Sequence, residues 1–403
     1  MVKQKKFIKE PYLERIRMNF EYAERVRRLP PYLFAEMEKI QKEKKAQGVD
    51  LISLSIGDPD LPPPVFVVEA LAKEVSDFKN HNYSFSQGEP VFREAVSVWC
   101  KNRFNIDITH DQVVALLGSK EGIANIARAF INPGDKVLVP DPAYPVYANG
   151  STILCDGTVV PMPMLEDNNF QPDLDTIDTN NVCMMFLNYP NNPTAATVDK
   201  PFLKKIVDFV KDNNILLCYD NAYSEITYDN YRAPSILEIP GADEVAIEFH
   251  SLSKTFNMTG DRIAFAVGNK QLVTGLTKIK SQIDSGPPVY TQKAAATALN
   301  AYTGRDPPEF LRKNNQTLQE RRDLLVNTLT KIGYPCEVPK ATFYVWVNCK
   351  GDSMKFTTKL LDVGVAVTPG IGFGKYGEGY VRITFTQPKE RIHEACNRIA
   401  SAF

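Results

Sequence analysis

The chain has 403 residues and is 43% hydrophobic, which is enough for two domains with sizeable cores. Its net charge of -1 gives no electrostatic attraction for nucleic acid, so a small molecule is the expected partner. Seven scattered cysteines without a C-x-x-C pair argue against disulfides and against a metal site. The basic N-terminus lacks a secretory pattern and no apolar run would span a membrane. We expect a cytoplasmic protein without membrane contact.

The first two thirds of the chain predict an α/β fold. Apolar residues from Tyr32 to Ile40 lie at helical spacing before Gly48, and LISLSIGDPD (51–60) predicts a strand that ends in a turn. Helical patterns then alternate with apolar runs that do not alternate in polarity, as expected for strands buried on both faces. These runs are VVALLG (113–118), KVLVP (136–140), VCMMFLN (182–188), ILLCYD (215–220), VAIEFHS (245–251) and IAFAVG (263–268). They predict a large domain with a mostly parallel sheet flanked by helices.

The pattern changes after the helical stretch Gln292–Tyr302. A long charged helix is predicted over residues 309–333, and a terminal helix follows the last strand. The predicted strands are TFYVWVN (342–348), VAVTP (365–369) and YVRITF (380–385). We therefore expect residues 58–294 to form the large domain, and residues 1–57 and 295–403 to form a smaller α+β domain with an N-terminal arm. The N-terminal helix has no partner in its own segment, so we expect it to pack on the small domain.

The segment HSLSKTFNMTGDRIAFAVG (250–268) carries the strongest chemical signal. Lys254 is flanked by Ser251 and Ser253, and Arg262 follows. An amine can condense with an aldehyde, while hydroxyls and a guanidinium can hold a phosphate dianion. A lone lysine is usually a surface residue, but this combination indicates pyridoxal phosphate.

Asp220, at the end of ILLCYD, has a position suited to the same cofactor. A carboxylate at the carboxyl edge of a sheet can pair with a pyridinium nitrogen, and the protonated ring then withdraws electrons. Tyr223 could reach the phenolic oxygen of the ring. A helix N-cap is the competing structural role for Asp220.

Two further segments follow predicted strands and offer contacts to a phosphate and a ring. Ser119 and Lys120 open a helix, whose N-terminus attracts anions, although ordinary capping would explain the same pattern. Tyr144, in DPAYPVY, could stack on a flat ring.

Asn192, in NYPNNPT, precedes a proline that favours an extended conformation and would direct its amide outward. Arg382 is a charge within the apolar strand YVRITF, where either a substrate carboxylate or a structural salt bridge would pair with it.

In chain order these residues resemble the class I/II aminotransferases of the fold-type I pyridoxal phosphate enzymes. The resemblance covers residue 30 to the C-terminus and rests on Gly57, Tyr83, Ser119, Lys120, Tyr144, Asn192, Asp220, Tyr223, Ser251, Ser253, Lys254, Arg262 and Arg382. It implies that Lys254 binds the cofactor covalently and that Asp220 pairs with the pyridine nitrogen. Tyr144 would stack on the ring, and Asn192 and Tyr223 would hold its phenolic oxygen. The implied phosphate ligands are Ser119, Lys120, Ser251, Ser253 and Arg262.

The resemblance also implies the remaining contacts. Arg382 would bind the substrate's α-carboxylate beside the backbone of Gly57, with Lys120 and Asn192 also lining the substrate site. Tyr83 matches a tyrosine that such enzymes lend to the neighbouring subunit's cofactor, which implies a homodimer with shared active sites. The phrases PYLFAEM (31–37), LSIGDPD (54–60), FLNYPNNPTAATV (186–198) and EFHSLSKTFNMTG (248–260) resemble the LL-diaminopimelate aminotransferase group. Tyr32 lies where that group has a substrate-contacting tyrosine.

The implied reaction is transfer of an amino group between LL-2,6-diaminopimelate and 2-oxoglutarate, giving tetrahydrodipicolinate and glutamate in lysine biosynthesis. Lys254, Asp220 and Tyr223 would be its catalytic residues. A general aspartate or alanine aminotransferase is the alternative, and a pyridoxal-dependent lyase is a further one, because the fold does not fix which bond breaks. Asp261 and Ser285 depart from the residues usual in these relatives.

Overall fold

The computed structural model describes residues 20–31 and 33–403. Tyr32, one of the predicted substrate contacts, lies outside the described residues. The strands are β1 (Ile52–Ser53), β2 (Val113–Leu116), β3 (Lys136–Asp141), β4 (Thr158–Pro163), β5 (Val182–Asn188), β6 (Leu216–Asp220), β7 (Ala246–Ser251), β8 (Ala264–Gly268), β9 (Tyr344–Asn348), β10 (Val365–Ala366), β11 (Thr368–Pro369) and β12 (Tyr380–Thr384). The helices are α1 (Glu24–Arg27), α2 (Leu33–Ala46), α3 (Val65–Val75), α4 (Pro90–Phe104), α5 (Ser119–Phe130), α6 (Lys200–Asp212), α7 (Ala242–Val245), α8 (Leu252–Thr255), α9 (Lys270–Lys280), α10 (Val289–Leu299), α11 (Glu309–Lys331), α12 (Ser353–Asp362) and α13 (Lys389–Ala402).

Within the described residues, seven strands form the larger sheet, in the order β2-β8-β7-β6-β5-β3-β4. Its strands are parallel except β8, which runs antiparallel to both of its neighbours. This confirms the predicted mostly parallel sheet. The sequence analysis missed β4, whose apolar run is interrupted by Pro161 and Pro163. Proline removes a ladder donor and is tolerated at a sheet edge, which is where β4 lies.

Helix α6 shows how the chain covers this sheet. The Asp199 carboxylate accepts a hydrogen bond from the backbone N–H of Phe202 and so caps the helix. Its buried residues recur at helical spacing: Phe202, Leu203, Ile206, Val207 and Val210. They pack against the large sheet in one cluster, together with Leu217 and Tyr219 of β6. Burial of each large aliphatic side chain contributes about 1.5–3 kcal/mol, so this helix fixes the strand that ends in Asp220.

The direction of the strands determines where the functional side chains gather. Parallel strands present their carboxyl ends at one edge of a sheet, where α/β proteins bind ligands. Asn188, Asp220 and Ser251 are the last residues of β5, β6 and β7. Since β8 runs the opposite way, the turn before it, with Arg262, lies at the same edge.

A smaller α+β unit faces this edge. Strands β11, β12 and β9 form an antiparallel sheet, and β1 pairs with β10 in parallel. Of the predicted strand over 51–60, only Ile52–Ser53 is regular. Helix α2 lies against this unit, with Gln41 Nε2 donating to Ser55 Oγ at 2.9 Å and Lys44 3.9 Å from the Asp362 carboxylate. The predicted packing of the N-terminal helix agrees with these contacts.

No helix among the described residues combines the length and the apolar character that crossing a membrane requires.

Candidate active site

A cleft of about 350 Å³ lies between the carboxyl edge of the large sheet and the small sheet. The predicted residues that line it are Gly57, Ser119, Lys120, Tyr144, Asn192, Asp220, Tyr223, Ser251, Ser253, Lys254, Arg262 and Arg382. It is also lined by residues that the sequence analysis did not select: Ile56, Asp58, Gly118, Tyr147, Asn188, Ala222, Thr259 and Tyr344. Residues from distant parts of the chain therefore meet at one site.

Lys254 lies in α8, directly after β7, and its amine points across the cleft. Its Nζ donates a hydrogen bond to the Gly57 carbonyl at 3.0 Å and lies 5.5 Å from the centre of the Phe343 ring. Burial lowers the pKa of this amine to about 8; the Asp58 charge opposes the shift, and the charges of Arg382 and Arg262 add to it. A lysine with this pKa has a substantial neutral, nucleophilic fraction near neutral pH.

Asp220 holds a buried carboxylate at the end of β6. Its Oδ2 accepts a hydrogen bond from Tyr147 Oη at 2.7 Å, whereas Oδ1 has no hydrogen-bond partner among the described residues. Burial raises the pKa of the carboxyl to about 6, against the lowering effects of the Tyr147 hydrogen bond, the Ala222 N–H and the His250 charge. Turns rather than a helix follow Asp220, so the N-cap role is wrong.

Tyr147 and Asn188, which the sequence analysis did not select, hold other residues of the cleft in place. The Tyr147 ring stacks on Phe186, with 5.3 Å between ring centres, and this holds its hydroxyl against Asp220. The Asn188 amide donates to the Asp220 carbonyl at 2.7 Å, and its Oδ1 accepts from the Asn192 N–H at 2.7 Å. Tyr147 follows Tyr144 by three residues in DPAYPVY, and Asn188 ends a predicted strand. Position at the sheet edge was therefore a usable signal for Asn188.

Arg382 projects from the small sheet toward the large one. Its two Nη atoms donate to Asn192 Oδ1 and to the Ser55 carbonyl, each at 2.7 Å, and both of these acceptors are uncharged. The guanidinium lies 4.3 Å from the centre of the Tyr344 ring and 4.7 Å from that of Phe373. These contacts hold the guanidinium plane in one orientation, which suits bidentate binding of a carboxylate.

Tyr223 and Tyr344 form a second connection across the cleft. Their hydroxyl groups are 2.9 Å apart, and the two rings meet edge to face. Tyr344 also explains Gly57, because a Cβ at that position would overlap the Tyr344 hydroxyl. Close packing therefore brings the Gly57 backbone against Tyr344, whose ring also contacts the Arg382 guanidinium.

The opposite end of the cleft is arranged for an anion. Helix α5 begins at Ser119, and no side chain caps its first turn. Arg262 donates to the carbonyls of Leu117 at 3.0 Å and Thr259 at 2.8 Å. Gly118 has φ +109°, and a Cβ there would overlap the Arg262 guanidinium. Exposed N–H groups at a helix start beside a guanidinium are a favourable environment for a phosphate.

Tyr83 is the predicted residue that the fold does not bring to the cleft of its own chain. Its side chain is 92% exposed, in a segment where Phe78 is 90% and Phe85 is 64% exposed. Its predicted contact with a neighbouring subunit's cofactor stays a prediction.

The residues in the cleft fit the chemistry of pyridoxal phosphate. Asp220 Oδ1 is a buried acceptor without a donor, and a pyridinium N–H would supply one. The start of α5 and Arg262 suit the phosphate, and Lys254 supplies the amine. In the described part of the chain, no group of three or more His, Cys, Asp or Glu side chains could hold a metal ion.

Comparison with known proteins agrees with this geometry. The profile of the family described as aminotransferase class I and II matches residues 49–399. The chain belongs to this family. The cleft described above is therefore that of an aminotransferase.

Individual relatives cover nearly the whole of this aminotransferase. The LL-diaminopimelate aminotransferase of Desulforudis audaxviator is 48% identical over 389 residues, which are 95% of this chain and 98% of the relative. That of Aquifex aeolicus is 48% identical over 387 residues, covering 94% and 98%. Among solved structures, substrate-bound BacF from Bacillus subtilis superposes with a TM-score of 0.90 at 33% identity, covering 95% of this chain and 98% of its own.

Proposed function

We propose that this aminotransferase transfers an amino group between LL-2,6-diaminopimelate and 2-oxoglutarate, giving tetrahydrodipicolinate and glutamate in lysine biosynthesis. The observation that carries the proposal is the similarity to relatives named LL-diaminopimelate aminotransferase, at 48% identity over 94–95% of the chain. The cleft supports the chemistry, because an amine of lowered pKa lines it together with a buried carboxylate and a buried guanidinium.

The proposed cofactor is pyridoxal 5'-phosphate. When bound, it supplies an aldehyde for the amine and a protonated ring that withdraws electrons from the substrate. Lys254 would bind its aldehyde, Asp220 its ring nitrogen, Tyr144 its ring face, and Asn192 and Tyr223 its phenolic oxygen. The phosphate would be held by Ser119, Lys120, Ser251, Ser253 and Arg262.

Each remaining step belongs to a side chain of this protein. Arg382 binds the α-carboxylate of the substrate beside Gly57 and so orients the α-carbon toward Lys254. Once the substrate's amine has replaced it on the cofactor, the Lys254 amine would remove the proton from that carbon and deliver it to the cofactor's aldehyde carbon as general acid, a role for which a pKa of about 8 is suited. The Asp220 carboxylate supplies a fixed negative charge opposite the ring nitrogen throughout.

Assembly and domain boundaries are part of the same proposal. We place the large domain at residues 58–294 and the small domain, with the arm, at residues 1–57 and 295–403. A homodimer is supported by the exposed aromatic side chains Phe78, Tyr83 and Phe85, since large exposed apolar patches often mark interfaces. A cytoplasmic location stays a prediction.

Substrate conversion tests the proposal directly. Purified protein loaded with the cofactor would be mixed with one amino acid at a time, without keto acid, while the cofactor's absorbance is followed. We expect LL-diaminopimelate to convert the cofactor to its aminated form, and 2-oxoglutarate to restore the original spectrum.

Aspartate and alanine serve as the matched competitors in this assay. Rapid conversion by either, with none by LL-diaminopimelate, would replace the proposed substrate by the general aminotransferase alternative. Release of a product without amination of the cofactor would support a lyase instead.

A further inference from the structure

Lys280 is a fully buried lysine outside the cleft, at the last turn of α9. Its side chain has 0% exposure, and its Nζ lies 3.0 Å from Glu121 Oε2 and 3.0 Å from Asp284 Oδ1. Removing charges from water destabilises a fold, and replacing a buried ion pair by hydrophobic residues of similar size often leaves a protein equally stable. A buried cation between two carboxylates therefore calls for a reason other than fold stability.

The first carboxylate, Glu121, connects Lys280 to the start of α5 at the cleft. Glu121 lies in the first turn of α5, and the oxygen that faces Lys280 also accepts the Leu117 N–H at 3.0 Å. The Leu117 carbonyl accepts from Arg262 at 3.0 Å. The two peptide groups that flank Leu117 are thus held, one by Glu121 through the Leu117 N–H and the other by Arg262 through the Leu117 carbonyl. Lys280 fixes the carboxylate that orients this turn.

The charge of Glu121 gives a second reason. A carboxylate in the first turn of a helix competes with any anion that binds the same helix end. The nearby Lys280 ammonium offsets that charge. Without the lysine, Glu121 would repel a phosphate at the start of α5.

The second carboxylate, Asp284, belongs to the loop that follows α9. Asp284 Oδ1 accepts the Gly286 N–H at 2.7 Å. Gly286 has φ +83° and packs closely against the Phe85 carbonyl. Gln292 next to this loop accepts from the Glu89 N–H and donates to Ser84 Oγ. The 284–286 loop therefore supports the segment that carries Tyr83.

We propose that Lys280 is a positioning residue, which sets the geometry and charge of the phosphate-binding helix start through Glu121 and joins it to the 284–286 loop through Asp284. The proposal rests on the proposed function, because it assumes that the phosphate of pyridoxal phosphate binds at the start of α5. Lys280 itself is not among the described residues that line the cleft.

The test compares two ligands that differ only in the phosphate. Protein freed of cofactor would be titrated with pyridoxal phosphate and with pyridoxal, followed by absorbance, for the wild type and for Lys280→Met. We expect the variant to bind pyridoxal phosphate about tenfold more weakly, the equivalent of one charged hydrogen bond, with pyridoxal affinity unchanged. Inorganic phosphate should compete less well for the variant. Lys278→Met, at an exposed position of the same helix, should behave as the wild type.

Lys280→Met leaves two half-buried carboxylates without their ammonium partner, so Lys280→Met with Asp284→Asn provides a second variant with one charge fewer. It should fold, as judged by circular dichroism, and show the same selective loss. Equal weakening of both ligands, unchanged affinity for pyridoxal phosphate, or failure of both variants to fold would overturn the proposal. If the wild type itself does not bind pyridoxal phosphate, the proposed function fails as well, whereas wild-type binding with unaffected variants refutes only the role of Lys280.

Discussion

Asp220 and Arg382 are buried charges on opposite walls of one cleft, and the two walls treat them differently. Asp220, at the carboxyl end of β6, has one oxygen bonded to Tyr147 and the other without a partner in the described structure, and its pKa is raised to about 6. Arg382, within β12, donates through both Nη atoms and lies between two aromatic rings. Burial thus destabilises the Asp220 charge at the large sheet, whereas the neighbours of Arg382 stabilise its charge at the small sheet.

This difference indicates that Asp220 and Arg382 are arranged for ligand binding in two different ways. The unpartnered oxygen of Asp220 is stabilised only when a ligand brings a donor, so binding of the proposed cofactor would offset the cost of burial. The orientation of Arg382 is set by the protein before any substrate arrives. Four experiments on three substitutions probe this contrast, in decreasing order of expected effect.

Asp220→Asn removes the charge and keeps the shape of the side chain. Because the fixed charge opposite the ring nitrogen is lost, kcat should fall by about 10²–10³-fold, in the range seen when one preorganised electrostatic group is removed. Single-turnover kinetics with the amino acid substrate would measure it, with Asp212→Asn at an exposed position of α6 as control. Wild-type kcat in Asp220→Asn would contradict this role.

Arg382→Lys keeps the positive charge but removes the planar pair of guanidinium N–H donors. We expect KM for the amino acid to rise by about 10–100-fold with a smaller change in kcat, because bidentate binding of the carboxylate is lost. Steady-state kinetics would separate the two constants, with the exposed Arg312→Lys on α11 as control. A loss confined to kcat would show that Arg382 does not bind the carboxylate.

The free energy of unfolding of the cofactor-free protein should show how much the buried Asp220 carboxylate destabilises the fold. The folded pKa of about 6 lies above the ordinary 3.8, so the folded state binds the proton more tightly than the unfolded state does. The destabilisation of the folded state by the ionised Asp220 carboxylate is absent below pH 4, develops between pH 4 and 6, and is complete above pH 6. Asp220→Asn should therefore raise the free energy of unfolding at pH 8 by about 1–3 kcal/mol, and by little at pH 4. Urea denaturation at both pH values would measure this, and destabilisation at pH 8 would contradict the account.

Tyr147→Phe should have the smallest effect. The Tyr147 hydrogen bond lowers the pKa of Asp220, so its loss should raise that pKa further. Cofactor affinity, which should weaken as pH falls through about 6, would then begin to weaken at a higher pH. Binding titrations across this range would show the shift, with Tyr376→Phe, outside the cleft, as control. An unchanged or lower midpoint would show that Tyr147 does not tune Asp220.

Much of the fold and the site could be predicted, because position in a parallel sheet fixes where side chains emerge. Asp220 ends one strand and Asn192 follows another, both strands are recognisable from their apolar runs, and both residues line the cleft. Strand β4 was missed since two prolines break its pattern. Tyr147 was missed because its role depends on stacking against Phe186, a contact that spacing does not reveal.

The role of Lys280 was likewise hidden from the sequence. It is one lysine among several on α9, and only the fold shows that it is buried between carboxylates from two other positions. Tyr32 and Tyr83 were named through resemblance. The first lies outside the described residues, and the second is exposed on a single chain, so neither prediction is decided by the geometry.

The most direct test of the central claim is to identify the lysine that binds the cofactor. Protein incubated with pyridoxal phosphate would be reduced with borohydride, digested and analysed by mass spectrometry. We predict modification of Lys254, with a rate of attachment that rises with pH through about 8 as the amine loses its proton. Modification at Lys120 or another lysine while Lys254 stays unmodified would contradict the account.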